Sequence, residues 1–399
     1  MQRGKIIEIG QRLRCEVNLI FRYWQSEYCR IFRDAEVVLF FVLLPLAYPI
    51  LYALIYAPEV VTNVPVVVVD DSRTVLSREI VQRFDASPAV DVVSYCANMG
   101  EAKDMMMRRK CYAVLVIPAG VATDVVNEKS SSLIFYTDMS LLLNYKALYM
   151  ALTDVVLNMG VVLRQAAMPV GVSSSITPIV ERPIPYTSEV MYNPTSGVAS
   201  FLIPAVLVLI LQQSFVLGIA MLASAYHEQK RSWFGRYHIL HRLVGRTLCY
   251  VSVYIFNVVY LLHFVPWLFG YPQCGSVSQI LLFSLPLVLS SIFMAITLSV
   301  CVQEREHTYL LFVFTSVPFI FLSGIAWPRY AMPIGWRYIS YLIPATWGVE
   351  GFVQINTMGA TLEQASYAYT RLWLLTIVYV VTAVLAIRYD NHRHHRIVV

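Results

Sequence analysis

The run VVLFFVLLPLAYPILYALIY, Val37–Tyr56, carries no charged side chain. A helix needs roughly 20 mostly apolar residues to cross about 30 Å of hydrocarbon, and this run supplies them. Five more runs meet the same demand: Ser200–Ala225, Thr247–Gly270, Ile280–Val302, Tyr309–Ala326 and Leu372–Ile387. Only 14% of the 399 residues are charged, against about a quarter in an ordinary soluble domain. The chain reads as a mainly α-helical membrane protein with six transmembrane helices.

Basic residues set the orientation. Arg3, Lys5, Arg12, Arg14, Arg22, Arg30 and Arg33 precede the first span. Lys230, Arg231, Arg236 and Arg242 separate the second from the third, and Arg388, Arg393 and Arg396 follow the last. The loop near Tyr271–Gln279 has none. With alternating spans, every basic segment falls on one side, so both termini are expected in the cytoplasm. More than thirty residues precede the first apolar run, too many for the n-region of a cleavable signal, so the first span is expected to be an uncleaved anchor.

The expected organisation is a cytoplasmic amphipathic interface helix (1–36), spans at 37–56, 197–225, 247–270, 279–302, 307–327 and 368–388, a coupling loop at 226–246, and a cytoplasmic tail (389–399). Within the first helix Val17, Ile20, Phe21, Trp24, Tyr28 and Ile31 recur at helical spacing, which suits the inner membrane surface. Residues 57–195 form a gap of about 140 residues between the first two spans, long enough for a domain. Val64–Asp70, Val90–Cys96, Cys111–Pro118 and Ser132–Asp138 read as strands, with helices at Ser77–Phe84, Gly100–Arg109 and Gly120–Asn127. The series predicts a small inserted α/β extracytoplasmic domain with a partly parallel sheet, and a longer helix near Leu141–Arg164 leading back to the membrane. Cys96 and Cys111 fall in this domain, either as a disulfide or as two buried thiols.

The chemistry of an enzyme is missing from the sequence. It holds no GxxxxGK[ST], HExxH or GxSxG pattern and no zinc spacing among its seven cysteines. His392–Arg396 reads as a basic tail, and no metal site is expected. The spans lack Asp, Glu and Lys, and His263 has no acidic partner in any of them. Ion-coupled carriers need such groups at depth, so a separate energy source is expected.

Three stretches then carry a family resemblance. VVVVDDSRTVLSREIVQRFDAS (Val66–Ser87) resembles the start of the outside domain in permeases of ABC type-2 exporters. YNPTSGVASFLIPAVLVLILQQSFVLGIAML (Tyr192–Leu222) resembles their second-span entrance. REHTYLLFVFTSVPFIFLSGIAWP (Arg305–Pro328) with IPATWGVEGFVQINTMGA (Ile343–Ala360) resembles their C-terminal signature. The order and spacing agree over essentially the whole chain, closest to the drug- and polysaccharide-export branch with a large outside domain.

The resemblance implies a permease of a bacterial inner membrane that exports a drug-like, lipid-like or other envelope molecule. It implies a second permease, identical or not, and a cytoplasmic ATPase holding ATP and magnesium, so that this chain needs no cofactor of its own. Contacts to that ATPase are implied around Arg30, Arg33 and Asp34 and around His227, Glu228, Lys230 and Arg231. Glu304, Arg305 and Glu306 are a further candidate contact. Phe201, Gln212, Gln213, Ser214 and Ser323 are candidates for the transport path. Relatives with so large an outside domain often meet a periplasmic adaptor leading to an outer-membrane channel. The competing reading is a membrane-anchored envelope-assembly or sensing protein whose α/β domain binds a partner.

One apolar segment is broken. Residues 328–366 open with prolines and glycines that stop helices, yet keep tryptophans suited to the headgroup interface. Backbone that is not helical is tolerated at membrane depth only when protein or a water-lined cavity satisfies it. A re-entrant helical hairpin before the last span meets both demands. Gly324, Trp327, Pro328, Pro333, Pro344 and Trp347 would form an outer gate.

Overall fold

The computed structural model describes residues 2–127, 129–167, 191–193, 196–229, 233–235 and 238–398. The chain divides into two compact units, Met1–Ala57 with Met191–Val399, and Pro58–Val190. The first opens with α1 (Gln2–Arg33) and α2 (Ala35–Ile55). The second holds β1 (Val64–Asp70), α3 (Val75–Asp85), β2 (Val90–Tyr95), α4 (Met99–Met107), β3 (Ala113–Ile117), α5 (Val121–Val126), β4 (Ile134–Thr137) and α6 (Leu142–Ala167). The first then resumes with α7 (Val198–Glu228), α8 (Ile239–Leu268), α9 (Val277–Ser299), α10 (Arg305–Leu322), α11 (Ile334–Ser340), α12 (Pro344–Phe352) and α13 (Ser366–Val398).

The second unit is a four-stranded sheet in the order β2-β1-β3-β4. Strand β1 runs parallel to both neighbours, and β4 returns antiparallel to β3. The run VPVVVVD is apolar on both faces because both are covered. Val66 and Val68 face a core shared with Ile80 and Phe84 of α3 and with Leu148 and Val155 of α6. Val67 and Val69 face a smaller core with Ala102 of α4. The turn after β1 follows from its side chains. Asp70 Oδ1 accepts from the backbone N–H of Ser72 and Arg73, at 3.0 and 2.9 Å. Thr74 and Ser77 then form a reciprocal capping box that starts α3. Cys96 and Cys111 are free and buried, and burial pushes both thiols up, so they are packing groups.

The first unit is a bundle around α7, which is apolar on all sides and therefore belongs in the middle. In the candidate span Val198–Glu228 89% of the most apolar window is buried, against 22% for α2 and 28% for α13 at the rim. Six helices among the described residues are long and apolar enough to span, but their identities differ from the six runs in the sequence. Leu142–Leu163 qualifies by composition, although Leu148, Ala151, Val155 and Met159 pack into the sheet core. Helix α10 does not qualify, because Arg305, Glu306 and His307 occupy its first turn.

Helix α2 touches α7 where Phe41 sits among Phe215, Tyr250 and Tyr254, at ring-centroid distances of 6.0, 5.8 and 4.7 Å. Only a glycine at 218 allows this. A Cβ there would fall 1.9 Å from Phe41 Cδ2 and 2.7 Å from Cγ. Gly218→Ala is expected to cost about 1–3 kcal/mol by overpacking, read as a lower Tm of the detergent-purified chain. Phe41→Leu in the same chain should return part of the loss.

Candidate functional site

At one end of the bundle a cleft of about 650 Å3 opens among α1, α2, α7 and α10. Its centre is Arg305. The guanidinium Nη2 lies 2.5 Å from Asp34 Oδ2, Nη1 lies 2.6 Å from Glu36 Oε2, and Nε lies 3.5 Å from Glu228 Oε2. Glu228 Oε1 also accepts from the Arg305 backbone N–H at 3.0 Å, at the start of α10. Hydrogen bonding to Asp34, and then to Glu36, raises the Arg305 pKa above its ordinary value. Arg30 lies over the Tyr226 ring at 4.4 Å, and Arg30 and Arg33 line the same cleft. The sequence reading named Arg30, Arg33, Asp34, Glu228 and Arg305 from three distant segments, and the fold brings them together.

Other named residues go elsewhere. His227 is 7% exposed, with Nδ1 2.7 Å from the Val302 carbonyl and Nε2 3.3 Å from Asp390 Oδ2, so it ties α7 to α13 inside the protein. Glu304 and Glu306 are exposed beside the cluster. Lys230 and Arg231 lie outside the described residues.

Behind the cleft a second tie joins α1 to α8. Glu27 is fully buried, and its Oε1 accepts from the Tyr250 hydroxyl at 2.7 Å. Arg246 Nε stands 3.1 Å from Glu27 Oε2, close enough for ion pairing although outside hydrogen-bond geometry. The Arg246 guanidinium stacks on Trp233 and Phe234, at 5.0 and 4.6 Å from their ring centroids. The helices close on Gly245, where a Cβ would fall 2.7 Å from the Ile20 carbonyl oxygen. This divides the apolar residues of α1. Trp24 Nε1 donates to Ser252 Oγ at 3.2 Å, and Ile31 is buried, while Val17, Phe21, Tyr28 and Phe32 stay exposed.

Further along α2, α7 and α10 an apolar cavity of about 330 Å3 lies between the same three helices. Tyr48, Tyr52 and Tyr56 line it at i, i+4, i+8 spacing, opposite Val206, Gln213, Ser214 and Ser316. Gln213 is linked to Thr315 of α10, with Gln213 Nε2 3.3 Å from Thr315 Oγ1. Of the five path candidates, Gln213 and Ser214 reach this cavity. Gln212 turns the other way, where its Oε1 accepts from the Ala345 N–H at 2.5 Å and satisfies the N-terminus of α12. Phe201 is exposed on the first turn of α7, and Ser323 is buried, donating to the Ile320 carbonyl at 2.7 Å. The tyrosine ladder was missed in the sequence, though its spacing was there to find.

The opposite end of α10 leads into α11 and α12. Gly324 has φ +92°, a left-handed turn that releases the chain from α10. Trp327 is exposed, Pro328 begins a single 3₁₀ turn, Pro333 precedes α11, and Pro344 begins α12. Trp347 is buried and donates to the Tyr341 carbonyl at 3.0 Å. Gly348 lets α12 lie against α7 and α9, since a Cβ there would fall 2.9 Å from Val208 and 2.6 Å from Leu287. Arg329 is ion-paired with Glu350 across this turn.

The polar cleft among α1, α2, α7 and α10 and the apolar cavity among α2, α7 and α10 thus share three helices of the bundle. None of the curated proteins compared with the chain matches it. The family model described as ABC-2 family transporter protein matches residues 36–385, from the start of α2 into α13, and the chain belongs to that family.

Proposed function

We propose that the chain is the permease subunit of an exporter of the bacterial inner membrane, working as a pair of permeases. Membership of the family implies a separate ATPase subunit. The observation that carries the reading is the Arg305 cluster, which ties the α1–α2 junction, the end of α7 and the start of α10 into one mixed-charge cleft. A polar, mixed-charge surface suits reversible docking of a soluble partner. Force applied there reaches the 330 Å3 cavity through the same helices. The cavity is lined by tyrosine and aliphatic side chains and takes an apolar or amphipathic molecule. Both termini then lie in the cytoplasm and the Pro58–Val190 unit outside. Helices α11 and α12 form the re-entrant hairpin and outer gate, and an adaptor that meets the α/β unit could extend the path.

The test is purification of the tagged chain in mild detergent from its own host. A P-loop ATPase should come down with the chain, at two ATPase copies per pair of permeases. Recovery of the chain with envelope proteins and no ATPase would instead support the assembly or sensing reading.

A further inference from the structure

At the Arg329 end of the bundle a pocket of about 310 Å3 is lined by Arg329, Tyr330, Arg337, Tyr341, Trp347 and Tyr367. Arg329 lies 5.0 Å from the Trp347 ring centroid, and Arg371 lies 5.1 Å from that of Tyr367 and 6.0 Å from that of Trp347. Two guanidinium groups, those of Arg329 and Arg371, thus stand over one aromatic wall, and Arg337 lines the same pocket. Glu350 pairs with Arg329, but among the described residues neither Arg337 nor Arg371 has an ion-pair partner. Arg337 Nη2 donates to the carbonyls of Tyr330 and Met332, at 2.8 and 3.2 Å, which fixes the side chain. Its Nε is buried with no hydrogen-bond partner.

We infer that this pocket binds a phosphate group, supplied by the headgroup of an anionic phospholipid. Arg forks match phosphate oxygens, and guanidinium groups held against rings are already ordered before binding. Three arginines against the one carboxylate, with the Arg337 side chain fixed and its Nε unpaired, favour an anion here. The lipid source follows from place. The pocket lies where the apolar run of α10 ends, and Trp327 and Trp336 stand exposed in the same segment, as residues of a headgroup layer do. The inference holds for either direction of transport.

The test uses the full chain in neutral detergent, titrated by microscale thermophoresis with short-chain phosphatidylglycerol, short-chain phosphatidylcholine and inorganic phosphate. Phosphatidylglycerol should bind about tenfold tighter than phosphatidylcholine, whose choline meets the arginines unfavourably. Arg337→Gln and Arg371→Gln should each weaken it about tenfold, one charge-assisted hydrogen bond's worth. Arg371 is exposed and stands over the pocket residue Tyr367, so its variant keeps the test if Arg337→Gln does not fold. Inorganic phosphate binding with the same arginine dependence, without lipid binding, keeps the phosphate site and moves its source to solution. Binding of neither probe, or binding unchanged in both variants, overturns the inference.

Discussion

Glu27→Ala lowers the stability of the chain by about 3–5 kcal/mol, and adding Arg246→Met returns most of it. The single change strands Arg246, which is 5% exposed, without its carboxylate, and removes the acceptor of the Tyr250 hydroxyl. A buried charge with no partner costs far more than a surface one. The methionine of the double variant fills much the same space against Trp233 and Phe234 without carrying a charge. Thermal unfolding in detergent reads both variants. If Glu27→Ala unfolds within a degree or two of the parent, water reaches the pair and it is not the clamp between α1 and α8. If the double variant is no better than the single, the loss comes from packing of α1 and not from charge.

Five of the six apolar runs were legible as candidate spans because lipid imposes a strong, one-dimensional signal on each; the run at Tyr309–Ala326 belongs to α10, whose charged first turn keeps it out of that set. The sheet was legible for a similar reason: Val66–Val69 must be apolar on both faces when helices cover both. Which residues meet across the bundle was not legible. Glu27 and Arg246 are 219 positions apart, and nothing local marks Glu27 as buried. In the sequence it belongs to a charged, amphipathic helix whose apolar positions suit a lipid surface. The structure spends one part of that face on α8 and leaves another part exposed. Gln212 and Gln213 show the same limit. Adjacent glutamines in an apolar helix point about 100° apart, so one lines a cavity while the other caps α12, and only the neighbours decide which. Asp34, Glu228 and Arg305 were named because family resemblance and the basic-residue topology had marked those segments, whereas Glu36 and the arginines around Trp347 were not singled out.

Arg305→Glu should reduce recovery of the ATPase with the chain by at least about tenfold, with the permease still in the membrane. The substitution places a fourth carboxylate among Asp34, Glu36 and Glu228, where one guanidinium had held three. Like charges at this range repel, so the α1–α2 junction and the end of α7 separate from α10 and the cleft loses its shape. The cost to the chain itself is small, about 1–2 kcal/mol, because the Arg305 side chain is 27% exposed and water screens part of the interaction. Docking suffers more than folding, since it needs all three segments in register. Arg305→Lys should recover only part, because an ammonium cannot bridge Asp34 and Glu36 with a rigid fork. Glu36→Arg combined with Arg305→Glu restores one pair of opposite sign at the same place. Recovery of the ATPase in that double variant, measured by pull-down and ATP turnover in nanodiscs, separates lost charge complementarity from general damage. A complex of Arg305→Glu that assembles and hydrolyses ATP like the parent would remove the cleft from the docking surface and leave the exposed Glu304 and Glu306 as the contact to test next.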